Sequence, residues 1–320
     1  MEEKYLLAKK TVSSKYNEDY EYYPMLILGL TVLLIKYSKY EKELLELFLN
    51  SSFYIEDKDM KDIVNSHNLD DGNRDDYDKF TIYGFSHNGV AFWINEAEEI
   101  ERISLDPYIA ISSKKAPKER ILNVFLHEML HLLKSIKNPF NIYKMDDDVT
   151  AVLLKSGFNN SIHIIDKKSN DIYVQTQYET FDEVINTLQT TELMELIIAL
   201  DDIIPDKLVA DYLKSLDEDM LKKDYGYEII VPSFKSLWEI PSFKKMIEDN
   251  IIEGEIDIVS TKINEMLGEG ELELFCDCLD YIYYYQDEDH TEPLEIIQEF
   301  VNKYKQEDKN NKSFYLTENI

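Results

Sequence analysis

Cysteine, arginine and long apolar runs are all scarce in this chain, and each shortage removes a class of protein. The 320 residues include two cysteines, Cys276 and Cys278, spaced C-x-C. Two residues apart on a helix they point to different faces, and such close neighbours rarely pair, so nothing suggests a disulfide scaffold. They read as small core residues rather than as a metal pair. Only Arg74, Arg102 and Arg120 are arginine, and the 64 acidic residues leave a net charge of -30. Recognition of nucleic-acid phosphate needs clustered positive charge, so no nucleic-acid partner is expected. The acidic excess reads as plain solvation of the surface. The longest apolar run, Met25 to Ile35, has about 11 residues and cannot span a bilayer, which takes about 20. Met1 to Lys10 carries both signs of charge and no apolar stretch, unlike a signal peptide. These absences predict a cytoplasmic protein with no membrane partner. With nine glycines and eight prolines, low complexity is excluded too, and an apolar fraction of 44% is enough for a real core.

What is present is concentrated in one stretch, Val124-Phe125-Leu126-His127-Glu128-Met129-Leu130-His131-Leu132-Leu133. It contains H-E-x-x-H in a segment that is apolar on nearly every face, the mark of a helix buried in a core. Residues four apart on a helix lie one above the other. His127 and His131 can therefore offer two imidazole nitrogens to one metal ion, with Glu128 beside them as general base. That arrangement suits a zinc ion carrying a water that Glu128 deprotonates as it attacks a carbonyl. Two histidines and a glutamate in such a helix would be costly without partners.

Over about ten residues this window resembles the active-site helix of the zincin metallopeptidases, and the resemblance extends more weakly over about eighty more. It implies an α+β, zincin-like fold: a small mixed sheet and the H-E-x-x-H helix, followed by a mainly helical C-terminal lobe. It also implies an edge strand that pairs with extended substrate. The expected cofactor is one zinc per chain, and the expected partner is a peptide or protein substrate. The alternative is a catalytically inactive zincin-fold binding or regulatory protein.

A catalytic zinc takes three protein ligands plus water. A third histidine six residues after His131 is ruled out, because Lys137 stands there. The remaining common arrangement, that of the gluzincin branch, takes a glutamate from a downstream helix. In Glu179-Thr180-Phe181-Asp182-Glu183-Val184 the first choice is Glu183, with Glu179 second and Asp182 a weaker third. The stretch departs from the gluzincin pattern at Val184, where many relatives carry a small residue. Tyr178, Tyr173 and His163, just before that helix, are candidates to stabilise the oxyanion of a tetrahedral intermediate. Asp146 to Asp148 are candidate acceptors for the histidine N–H groups.

Periodicity gives the organisation. Residues 1–22 show little of it, and helices are predicted from Pro24 to Leu49 and over Asp59 to Asn65. Asn68 to Asp78 reads as a polar loop without calcium-loop spacing. Phe80 to Phe85 and Val90 to Ile94 read as a hairpin about Asn88-Gly89, and Tyr108 to Ile111 as a further strand. The H-E-x-x-H helix is predicted over 117–136 with Pro117 in its first turn. Met145 to Lys155 fits a helix or a buried strand, and a second hairpin follows across Lys167 to Asn170. The expected division is an N-terminal α+β lobe over 1–178, a helical lobe over 179–305 and a flexible tail over 306–320.

Overall fold

The computed structural model describes residues 1–69, 83–87, 90–94, 100–136, 140–145, 149–166, 168–169, 171–200, 203–221 and 229–317. In chain order the first elements are α1 (Glu2–Ser13), α2 (Tyr23–Lys36), α3 (Glu41–Asn50), β1 (Ser52–Glu56) and α4 (Met60–His67). Strands β2 (Gly84–His87), β3 (Val90–Ile94), β4 (Ile100–Leu105) and β5 (Tyr108–Ser112) lead to α5 (Lys118–Lys134). Then come β6 (Phe140–Lys144), β7 (Val149–Ser156), β8 (Asn159–Asp166), β9 (Asp171–Gln177) and α6 (Glu179–Ile198). The remaining helices are α7 (Lys207–Lys214), α8 (Glu218–Leu221), α9 (Val231–Trp238), α10 (Pro241–Asn250), α11 (Ile256–Leu267), α12 (Glu271–Tyr284) and α13 (Thr291–Thr317). The composition of elements is mixed α+β, mostly helical with small sheets. No helix among the described residues is long and apolar enough to cross a membrane.

Two compact units interleave along the chain. One takes Met1–Ile136 and Gln189–Lys223, the other Lys137–Leu188 and Asp224–Ile320. The consecutive blocks expected from the sequence list the elements in order, whereas each unit draws on two separate stretches. The change of unit falls inside α6, which is one continuous helix.

The first unit is built around α2 and α5. Every residue from Tyr23 to Leu34 in α2 is buried, as its unbroken apolar run requires. In α5, residues Ile121 to Leu126, Glu128 to Leu130 and Leu132 to Lys134 are buried as well. Pro117 stands at the N-cap rather than inside the first turn, and Ser135 closes the other end. The Ser135 hydroxyl donates to the His131 carbonyl at 2.9 Å, satisfying one of the carbonyls a helix leaves open. Beside the helices lies a three-stranded sheet in the order β1-β5-β2, with β1 parallel and β2 antiparallel to β5.

Three sequence expectations need correction here. Residues 1–22 contain α1, whose buried positions are Tyr5, Ala8, Thr11 and Val12. Their helical spacing escapes a search for strong hydrophobes, because only one of the four is a large aliphatic residue. The strands β2 and β3 do not form a hairpin with one another. β2 is laddered to β5 (Gly84 opposite Ile111, His87 opposite Tyr108), and β3 to β4. Alternation marks a strand but leaves its partner unspecified, so sequence neighbours were paired in error. β1, β4 and β6 are further strands that the sequence pattern did not mark. Asn88-Gly89, Phe80 to Ile82 and most of the Asn68 to Asp78 loop lie outside the described residues.

The second unit combines a four-stranded antiparallel sheet, β6-β7-β8-β9, with the helices α9 to α13. The second hairpin predicted from sequence is present as β8 and β9, paired from Asn160–Gln177 to Asp166–Asp171. The core of this unit is aromatic. Phe181 stacks on Phe158 at 5.9 Å and meets Phe234 and Phe275 at 5.7 and 6.2 Å, and Phe275 stacks on Phe300 at 4.3 Å. Stretch 306–317, expected to be a flexible tail, belongs to α13. Tyr304 and Asp308 are buried, and the Asp308 carboxylate accepts a hydrogen bond from Ser242, so the helix has a reason to continue.

At Gly29, α2 packs tightly against α5. A Cβ built there would lie 2.7 Å from Phe125 Cε1 and 2.9 Å from Cδ1. Gly29→Ala would add about 1 kcal/mol of helix propensity, against about 1–3 kcal/mol for overpacking. The Phe125 ring is backed by Phe53 at 5.6 Å, edge to face, so it has little room to give and overpacking wins. A lower urea midpoint for Gly29→Ala is the expected result.

Candidate metal centre

α5 brings His127 and His131 to the same side, one turn apart and half-buried, in a helix whose other faces are packed. Their Nε2 atoms lie 3.1 Å apart, and the ring planes meet at 68°. Two nitrogens bound tetrahedrally to one zinc ion at about 2.1 Å would be about 3.4 Å apart. The two nitrogens thus stand a few tenths of an ångström short of the separation that one shared ion would set. Glu128, between them in sequence, is buried at 8% exposure, and its Oε2 accepts a hydrogen bond from Ser86 Oγ at 2.8 Å.

The third member of the group is on α6. Ligand atoms of His127, His131 and Glu183 all lie within 4.8 Å of one another, and all three residues are half-buried. Glu183 owes its placement to its neighbours. Phe181 is fully buried in the aromatic core, and Asp182, 1% exposed, accepts the Phe158 backbone N–H at 2.9 Å. The Asp182 N–H in turn donates to the Tyr178 carbonyl at 2.9 Å, closing the first turn of the helix. With Phe181 and Asp182 committed to the interior, the next position projects about 100° further round the helix. Glu179, the second candidate, accepts the Tyr284 hydroxyl at 2.6 Å, and Asp182 is occupied by Phe158.

The donor set of two imidazoles and one carboxylate is the kind used by hydrolytic zinc sites, which keep a fourth position open. The group therefore fits zinc by donor chemistry and by the spacing of the two nitrogens.

The candidate oxyanion donors stand on different elements. Tyr173 is on β9 and 61% exposed. His163 is on β8, where burial lowers its proton affinity and Ser161 Oγ lies 3.0 Å from its Nε2. Tyr178 immediately precedes α6 with φ +61°, and burial pushes its hydroxyl up to about 12, so it keeps its proton at neutral pH. The left-handed backbone at Tyr178 is uncommon for a bulky residue, and such strain concentrates at functional positions. Asp146 to Asp148 lie outside the described residues.

Sequence reasoning missed Ser86. A lone serine in a short strand carries no signal of its own, and only the pairing of β2 beside β5 brings it to Glu128.

Searches of known protein families, curated proteins and solved structures found no match to this chain.

The C-x-C pair plays no part in the metal group. Cys276 and Cys278 are both free and buried in α12, and burial raises both thiols, Cys276 most strongly. A buried thiol with a raised pKa is a poor nucleophile. Ellman's reagent should therefore modify neither cysteine readily in the folded protein at pH 8 and both in guanidinium. Rapid native labelling would show that α12 opens.

Proposed function

We propose that this protein is a zinc-dependent metallopeptidase of the gluzincin type. One observation carries the reading: a two-histidine, one-glutamate group converging within 4.8 Å, with the glutamate of the H-E-x-x-H motif next to it. The mixed sheet supports it, since β2 is antiparallel to β5 and among the described residues has no strand on its other side. Such an edge offers backbone N–H and C=O groups to an extended peptide.

His127, His131 and Glu183 would hold the ion, two as neutral imidazoles and one as a carboxylate. Bound zinc supplies Lewis acidity, polarising the scissile carbonyl and bringing the pKa of a water down to about 7. Glu128 takes the proton from the attacking water and later delivers it to the leaving amine, which its buried position beside His127 suits. Tyr178, Tyr173 and His163 stay the candidate donors to the oxyanion; of these Tyr178 adjoins the helix that bears Glu183, and the charges around its hydroxyl are those of Glu273, Asp257 and Asp277 on α11 and α12.

Elemental mass spectrometry of the purified protein should find about one zinc per chain, lost or much weakened in Glu183→Ala. Absence of zinc after incubation with the metal would remove the catalytic reading and leave a non-catalytic binding protein. Glu128→Gln should retain the metal and lose hydrolysis of a peptide library by at least about a hundredfold. Activity retained in that variant would refute the role given to Glu128.

A further inference from the structure

The general base is held by the edge strand. Residues two apart in a strand share a face, as do residues four apart on a helix. β2 and α5 meet through such pairs, Gly84 and Ser86 on the strand facing Val124 and Glu128 on the helix. A Cβ at Gly84 would fall 2.4 Å from Val124 Cγ1 and 3.0 Å from the Ala110 carbonyl oxygen, so the absence of a side chain lets the strand settle onto the helix. Two residues on, Ser86 Oγ donates to Glu128 Oε2 at 2.8 Å. The two-residue step along a strand is about 6.8 Å, and the four-residue step along a helix is about 6 Å. One register therefore serves both contacts.

We infer that Ser86 is a positioning residue for catalysis: its hydroxyl fixes the Glu128 carboxylate in one rotamer, leaving the second oxygen to exchange the proton with water and leaving group. The inference rests on the metallopeptidase reading. Glu128 is buried, and among the described residues Ser86 is the hydrogen-bond partner its side chain has. A buried carboxylate with a single donor depends on it, both for the cost of burial and for its orientation. A glutamate has three rotatable side-chain bonds, and without the serine the carboxylate would sample several rotamers, few of them in line with the attacking water. Glycine at 84 and serine at 86 thus form one device, the first setting the distance and the second using it.

The test has two arms. In the zinc-loaded protein, Ser86→Ala should lower kcat about 10- to 100-fold with KM within about twofold and zinc content unchanged, as expected for a lost orienting contact. Ser86→Thr, which keeps a hydroxyl on a strand, should restore most of the rate. In the metal-free protein, urea midpoints of Ser86→Ala, Glu128→Ala and the double variant should be non-additive, with serine removal costing nothing once Glu128 is gone. Additive midpoints would overturn the tie between the two side chains whatever the activity. An unchanged kcat in Ser86→Ala, beside an inactive Glu128→Gln, would overturn the positioning role and leave the metallopeptidase reading standing. No hydrolysis by the wild-type protein would overturn that reading, and the metal-free midpoints would then decide the Ser86–Glu128 contact alone.

Discussion

A helix that is apolar on nearly all sides has to be enclosed, and α5 carries His127, Glu128 and His131 into that enclosure. Burying such groups is costly unless each is hydrogen-bonded or bound to an ion, and this constraint organises the first unit. α2 closes over one side of α5, approaching so near at Gly29 that the Phe125 ring occupies the space of a side chain. Phe53 of β1 covers the same ring edge to face. β2 comes down at Gly84, and its Ser86 meets the one carboxylate of the motif. The histidine nitrogens remain directed at each other across 3.1 Å, a spacing that one shared cation would use.

The start of α6 solves the same problem by other means. Phe181 enters an aromatic cluster with Phe158, Phe234 and Phe275, and Asp182 caps the Phe158 N–H. Both are essentially inaccessible to solvent, so the helix cannot rotate without emptying a core position and breaking a buried hydrogen bond. Glu183 follows with its direction already decided. The Tyr178 backbone, held in the left-handed region at the entrance to the helix, makes the turn from β9 into that rigid segment.

Much of this was legible in the amino-acid order because it depends on local period. The run from Met25 to Ile35 declares a buried helix, as α2 is. The stretch around His127 declares another, and the turn residues near Lys168 sit between two paired strands. The misses share a cause as well. α1 hides because Tyr5, Ala8 and Thr11 are weak hydrophobic markers, although their neighbours bury them. The partner of β2 is β5, more than twenty positions away, and nothing in an alternating pattern specifies which strand will accept its ladder. The last helix runs on to Thr317 because Asp308 meets Ser242, a contact between residues 66 apart.

The sequence by itself determined that two imidazoles could converge, since a four-residue spacing on a helix places them there whatever surrounds it. It also determined that the helix bearing them would be interior, because its composition leaves no solvent face. Which acid joins the histidines was left open among Glu183, Glu179 and Asp182. The tertiary structure groups Glu183 with the histidines and gives Asp182 and Glu179 other partners, Phe158 and Tyr284. Ser86, 42 residues before Glu128, could be found only there too. Helical period acts within a turn, but the placement of one element against another follows from how all of their side chains fill a common interior.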